Sequence, residues 1–112
     1  MERDCLFCQI IGRERPAEFV YEDASLVVFK DAHPHAPVHL LVVPKKHIRS
    51  INDVTDEDRQ IVADMIFRAR DVARQVGVSS SGYKLAINVE RGAGQVIFHL
   101  HMHLVGGWSR AN

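Results

Sequence analysis

Seven residues near the C-terminus, His99-Leu100-His101-Met102-His103-Leu104-Val105, alternate imidazole with apolar side chains. A β-strand sends successive side chains to opposite faces, so this segment, as a strand, puts all three histidines on one side. Phe98, Leu100, Met102 and Leu104 then share the other side and demand a core. At about 3.3 Å of rise per residue, alternate histidines stand about 7 Å apart. That spacing suits a phosphoryl group with its substituents and does not favour one tetrahedral metal held by all three. A solvated strand face and a three-histidine zinc site are the competing readings of the row alone. Just upstream, Gly92-Ala93-Gly94-Gln95 places two glycines and an amide where backbone N–H groups are expected to approach an anion. Together the two features describe an electropositive pocket containing imidazole nucleophiles.

The rest of the chain supplies short periodic segments punctuated by glycine and proline. Residues 4–12 carry Phe7, Ile10 and Ile11 at helical spacing and predict a short N-terminal helix. The runs 19–21 and 26–29, parted by Glu22-Asp23-Ala24-Ser25, predict a hairpin, and 31–37, with two prolines, a loop. Residues 39–43 predict a buried strand closed by Pro44. Over 55–76 the apolar residues Ile61, Val62, Met65, Ile66, Ala69, Val72, Ala73 and Val76 recur at steps of three and four, which predicts a long amphipathic helix. Thr55 with Asp58 forms a capping-box pattern, and Gly77 stands where a C-terminal cap belongs. Strands are then predicted over 83–89 and 96–105. Grouped strands with segregated helices indicate an α+β fold on a mostly antiparallel, five-stranded sheet.

Several function classes are excluded by composition. A length of 112 residues fits one domain, and fourteen Lys plus Arg against fourteen Asp plus Glu leave no basic surplus for nucleic acid. Apolar runs are far shorter than the roughly 20 residues of a membrane span. The first residues lack a charged-then-apolar leader, so a reducing cytoplasm is expected, where two cysteines do not make a structural disulfide. Cys5-x-x-Cys8 has metal or redox spacing, with inert helix cysteines as the alternative. Asp31, taken alone, is a turn residue before a proline loop. His33 and His35 read as solvated or pocket-rim groups, and His39 as a satisfied core histidine.

The pattern His-φ-His-φ-His-φ-φ, with φ apolar, is matched at every position from His99 to Val105 and resembles the histidine triad (HIT) nucleotide-binding proteins, in particular their Hint-like branch. The likeness extends over most of the chain through Cys5-Leu6-Phe7-Cys8-Gln9-Ile10-Ile11, Phe29-Lys30-Asp31, His35-Ala36-Pro37, Leu41-Val42-Val43-Pro44-Lys45-Lys46-His47-Ile48, Gly82-Tyr83, Asn88 and Gly94-Gln95. The resemblance implies a single HIT domain over 1–112 that cleaves purine nucleoside 5′-monophosphate derivatives, commonly at a P–N bond. It makes His101 the nucleophile that forms a nucleotidyl-histidine, His103 a donor to phosphate and leaving group, and the amides around Gly94 and Gln95 the stabilisers of charge on phosphorus.

By the same resemblance Asp31 holds the ribose hydroxyls, and Phe7, Ile10, Phe29 and Ala32 line the base pocket. Asn88, Gly94, Gln95, Val96 and Ile97 surround the phosphate and ribose. Many relatives carry serine where this chain has Val96, whose side chain cannot hydrogen-bond, so turnover or leaving-group preference is expected to differ. A non-catalytic nucleotide-binding module and a dinucleoside polyphosphate hydrolase are the alternatives. Zinc-bearing relatives imply a structural Zn2+ on Cys5, Cys8, His47 and His99. A homodimer with an AMP or GMP derivative as ligand is expected, with neither nucleic acid nor membrane as partner.

Overall fold

A strand that reads as an unbroken apolar run is one covered on both faces, and the computed structural model, which describes residues 4–109, shows this at the centre of its sheet. Its elements are α1 (Leu6–Ile11), β1 (Phe19–Glu22), β2 (Leu26–Lys30), β3 (Val38–Pro44), α2 (Arg59–Gln75), β4 (Tyr83–Ala86) and β5 (Met102–Gly106). Short 3-10 turns lie at Ile51–Asp53, Asp56–Asp58 and Arg91–Ala93. All five strands form one antiparallel sheet in the order β1-β2-β3-β5-β4, as the α+β reading expects.

Each face of the sheet has its own core. Leu26, Val28, Leu40, Val42, Leu100, Met102 and Leu104 pack on Met65, Ala69, Val72 and Ala73 of α2. Val27, Phe29, Leu41 and Val43 point the other way and pack on Phe7, Cys8 and Ile10 of α1. Each fully buried valine, leucine, isoleucine, phenylalanine or methionine among them contributes about 1.5–3 kcal/mol, and Leu104→Ala would cost about 2–5 kcal/mol. The register pairs Leu41 with His103 across β3 and β5, so the histidine face of β5 looks toward α1.

The long helix begins as a 3-10 turn. The Thr55 N–H donates to Asp58 Oδ2 at 3.0 Å, completing the expected capping box, and Lys46 Nζ reaches the other oxygen of buried Asp58 at 2.6 Å. Gly77, just past the helix, takes φ +83°, the left-handed region that glycine enters without a Cβ clash. Ile66 departs from the predicted apolar face: it is exposed, as is Phe67, because the α2 stripe that meets the sheet runs through Met65, Ala69, Val72 and Ala73.

The strands expected over 96–105 and 83–89 are shorter. β5 starts only at Met102, opposite Val42, because β3 closes on Pro44, which has no N–H for a ladder. The residues before Met102 find other partners: the Leu100 N–H donates to the Ile48 carbonyl at 2.7 Å. With no strand beside it, the chain after Ala86 leaves the sheet too. Phe98 therefore stays out of the core and is half-buried beneath the Arg49 and Arg91 guanidiniums, 4.6 and 5.7 Å from its ring.

Candidate functional site

The end of β2, the loop after it, α1 and the segment leading into β5 enclose a cavity of about 640 Å³. Phe7 and Ile10 reach it from α1 and Phe29 from β2. Asp31 and Ala32 come from the loop, Gly94, Val96 and Ile97 from the approach to β5, with His101 and His103 beyond. The expected row of three histidines divides here. His101 and His103 line the cavity with ring centroids 5.1 Å apart, whereas His99 is fully buried, touches the Phe7 ring edge-on at 5.9 Å and belongs to another cluster.

Neither Gln95 nor Asn88 is brought to the cavity wall. Gln95 is buried, its Nε2 donating to the carbonyls of Arg49 (2.9 Å) and Ile97 (3.1 Å) and its Oε1 accepting from the Glu90 N–H (2.8 Å). Asn88 Nδ2 donates to the Ala93 carbonyl at 2.6 Å. Both shape the loop from behind. The expectation of open amides at Gly94 and Gln95 is also corrected: both donate within the 3-10 turn, to the carbonyls of Arg91 and Glu90. Among the described residues, Val96 and Ile97 are the cavity-lining neighbours whose N–H groups enter no such bond.

Backbone contacts decide which nitrogen of each ring holds the proton. His101 Nδ1 lies 2.7 Å from the His99 carbonyl, which can only accept, so Nδ1 carries the hydrogen and Nε2 keeps a lone pair. Burial lowers its pKa against the opposing pull of that carbonyl and of Asp31, keeping the ring neutral near pH 7. Phe7 packs edge-on against it at 5.0 Å. On the opposite side, the His35 N–H donates to His39 Nδ1 at 3.0 Å, so the His39 proton sits on Nε2. That Nε2–H points at His103 Nδ1 at 2.9 Å, which fixes the remaining hydrogen of neutral His103 on its own Nε2. Burial, with His101 and His39 adding like-charge repulsion, takes the His103 pKa down to about 4.

His39 thus does more than fill the core. The sequence pattern misses it because its contact with His103 depends on how β3 registers against β5; the signal present is its two-residue step from Leu41, which shares the face of His103. Asp31 Oδ2 stands 3.3 Å from His39 Nε2, and Oδ1 accepts the His33 N–H at 2.8 Å, so Asp31 is both cavity wall and turn residue. His33 and His35 lie at the cavity rim, as expected.

Cys5, Cys8, His47 and His99 form the second cluster, with ligand atoms all within 4.8 Å of one another. Cys5 Sγ is 3.2 Å from His99 Nδ1, and Cys8 Sγ is 3.5 Å from His47 Nδ1 and 3.6 Å from His99 Nδ1. A tetrahedral zinc with bonds of about 2.3 Å to sulfur and 2.05 Å to nitrogen sets its sulfur and nitrogen ligands about 3.6 Å apart, so the set fits a metal. His99 Nε2 donates to the Pro44 carbonyl at 2.7 Å, leaving the Nδ1 lone pair for the cluster, and burial holds its pKa near 4. Burial also pushes the Cys5 thiol up to about 11, a proton that a dication would displace. Cys5 caps α1, its sulfur accepting the Cys8 N–H at 3.3 Å, and both cysteines are free thiols.

Comparison with known proteins places this geometry in context. A family described as scavenger mRNA decapping enzyme C-terminal binding matches residues 4–111. The purine nucleoside phosphoramidase of Escherichia coli strain K12 is 41% identical over 107 residues, covering 96% of this chain and 90% of the relative. A crystal structure of a HIT family hydrolase from Legionella pneumophila Philadelphia 1 superposes with a TM-score of 0.92 at 47% identity, covering 95% of each chain. A zinc-bound histidine triad family protein from Mycobacterium smegmatis is 32% identical with a TM-score of 0.79, over 92% of this chain and 74% of that one.

Proposed function

The chain belongs to the histidine triad family, and on that premise we propose that it is a purine nucleoside phosphoramidase cleaving the P–N bond of an AMP or GMP derivative through His101. The observation that carries this reading is the buried, neutral His101 whose Nδ1–H is tied to a backbone carbonyl, which presents the Nε2 lone pair to the cavity. Phe7, Ile10, Phe29 and Ala32 offer apolar faces to a flat base, and Asp31 offers a carboxylate to the ribose hydroxyls. The Val96 and Ile97 N–H groups and His103 Nε2–H supply donors for the phosphate oxygens.

In the first step His101 Nε2 bonds to the α-phosphorus as the P–N bond breaks, and the departing nitrogen takes up one proton. Water then bonds to phosphorus, gives up a proton and displaces His101, releasing the nucleoside monophosphate. His103, neutral because its pKa sits near 4, donates a hydrogen bond without bringing a charge that would attract the substrate phosphate equally before and after reaction. Gln95 and Asn88 serve by holding the loop that sets Val96 and Ile97 in place.

The reading assigns Zn2+ to Cys5, Cys8, His47 and His99 as a closed, structural site that joins α1 to the sheet and takes no part in the reaction. It assigns a homodimer, to which exposed Ile66 and Phe67 of α2 and the edge strand β4 are available. The free thiols suit a reducing cytoplasm, and among the described residues no helix is long and apolar enough to cross a membrane.

Incubation with adenosine 5′-phosphoramidate tests the proposal: wild type releases AMP, and His101→Ala slows release by about a thousandfold or more. Equal rates for the two folded proteins would overturn it. AMP binding without turnover by wild type would instead establish the non-catalytic module, and faster cleavage of a dinucleoside polyphosphate the alternative hydrolase.

A further inference from the structure

Glu90 has a backbone that suits glycine. Its φ of +70° and ψ of 167° fall in a region that glycine enters freely and that strains any residue with a Cβ. The side chain is pinned in one direction: Oε2 accepts from Arg49 Nη1 at 2.6 Å, Ser50 Oγ at 2.8 Å and Asn52 Nδ2 at 3.4 Å. The main chain is pinned in another, its N–H donating to Gln95 Oε1 at 2.8 Å and its carbonyl accepting the Ala93 and Gln95 N–H groups, each at 3.1 Å. We propose that Glu90 is a positioning residue for the reaction: by tying the turn at 91–95 to residues 49–52, it aims the Val96 and Ile97 N–H groups at the phosphate. The inference rests on the phosphoramidase reading and adds to it a residue that lies outside the cavity lining.

Stability does not account for a glutamate here. The Arg49 and Glu90 side chains are 49% and 36% exposed, and an ion pair so open to water adds little to the fold. Glycine would relax the backbone, so the strain works against folding as well. What the residue does accomplish is to close a ring of bonds. Its carboxylate meets Arg49, the Arg49 carbonyl accepts from Gln95 Nε2 at 2.9 Å, and Gln95 Oε1 returns to the Glu90 N–H. The Arg49 guanidinium and Ser50 hydroxyl hold the carboxyl below the usual carboxylate range, so it stays an acceptor at neutral pH. Farther along, the Leu100 N–H fastens to the Ile48 carbonyl at 2.7 Å, on the same segment. Val96 and Ile97 lie between the two fastenings, with N–H groups that enter no such bond. Donors held in this way need no rearrangement as charge grows on phosphorus, and letting them drift costs rate more than substrate affinity.

Two substitutions in the full chain test this. Glu90→Gly relaxes the backbone and removes the tether, whereas Glu90→Gln keeps an acceptor for Arg49 and Ser50. With adenosine 5′-phosphoramidate, Glu90→Gly is expected to lower kcat about tenfold while KM stays within about twofold and Tm within about 3 °C of wild type. Glu90→Gln should recover at least about threefold of that loss. In isotope-labelled protein titrated to saturation with AMP, the Val96 and Ile97 amide resonances should shift in wild type and move about half as far or less in Glu90→Gly. An unchanged kcat in Glu90→Gly, a larger fall in its Tm, or no recovery in Glu90→Gln overturns the positioning role. If wild type leaves the amidate intact, the enzymatic reading fails and the amide shifts alone decide. Equal shifts in wild type and Glu90→Gly, or none in either, then overturn this inference too.

Discussion

The molecule holds two clusters of metal-type side chains on the same side of its sheet, and they are built to opposite ends. Cys5, Cys8, His47 and His99 bring their donor atoms within 4.8 Å, and so do Asp31, His39 and His103. In the first, His99 donates its Nε2–H to the Pro44 carbonyl, so a lone pair faces the gathered sulfurs. In the second, the His35 N–H occupies His39 Nδ1, so a hydrogen faces His103. A metal needs lone pairs, and the His39 ring cannot turn one inward without abandoning the His35 amide. Proximity of ligand types therefore does not define a metal site. The backbone groups behind the rings do, turning lone pairs inward in one cluster, which could hold a cation, and a line of oriented hydrogens inward in the other.

The largest expected effect is on the first cluster. Removal of the metal by a chelator, or Cys8→Ala, should lower stability by about 4 kcal/mol where free metal stands a thousandfold above its Kd, a fall of at least about 15 °C in Tm by calorimetry. An unchanged Tm would mean that the first cluster is held by packing alone. His39→Leu should leave one zinc per chain by elemental analysis and reduce kcat about a hundredfold, since His103 loses the group that sets its tautomer. Two zinc ions per wild-type chain, with one lost in His39→Leu, would break the contrast. Asp31→Asn should cost less, about tenfold in kcat/KM, carried mainly by KM because the side chain still bonds but no longer as a charge.

A further effect concerns pH. His103 protonates near pH 4 when folded and near about 6.5 when unfolded. Between those values the unfolded chain holds the extra proton, so this contribution is complete above about pH 6.5 and is lost as pH falls toward 4. Urea titrations of wild type at several pH values should show that slope, and His103→Asn should make it shallower while His99 keeps its own share. Identical slopes would place the His103 ring in water rather than in the buried line.

Much of this was legible in the residue order. The runs that become β2 and β3 announce strands covered on both sides, and the periodicity and Thr55–Asp58 box announce α2, because these depend on neighbours close in sequence. Where β5 begins does not, since it is decided by the missing N–H of Pro44, 58 residues before Met102 in chain numbering. The cavity residues Phe7, Phe29, Asp31, His101 and His103 were named through the family resemblance. The roles of Gln95 and Asn88 behind the loop, and of His39 beside His103, depend on hydrogen bonds and strand register that no local pattern encodes.

One short element serves both clusters' neighbourhoods. Helix α1 spans only Leu6–Ile11, too few residues to persist by its own hydrogen bonds. Its first turn carries Cys5 and Cys8, and the same turn lays Phe7 against the edge of His101. An ion held between those sulfurs would thereby also steady the Phe7 wall of the cavity, and its loss would be felt first as a slackened wall, before any reacting atom is disturbed.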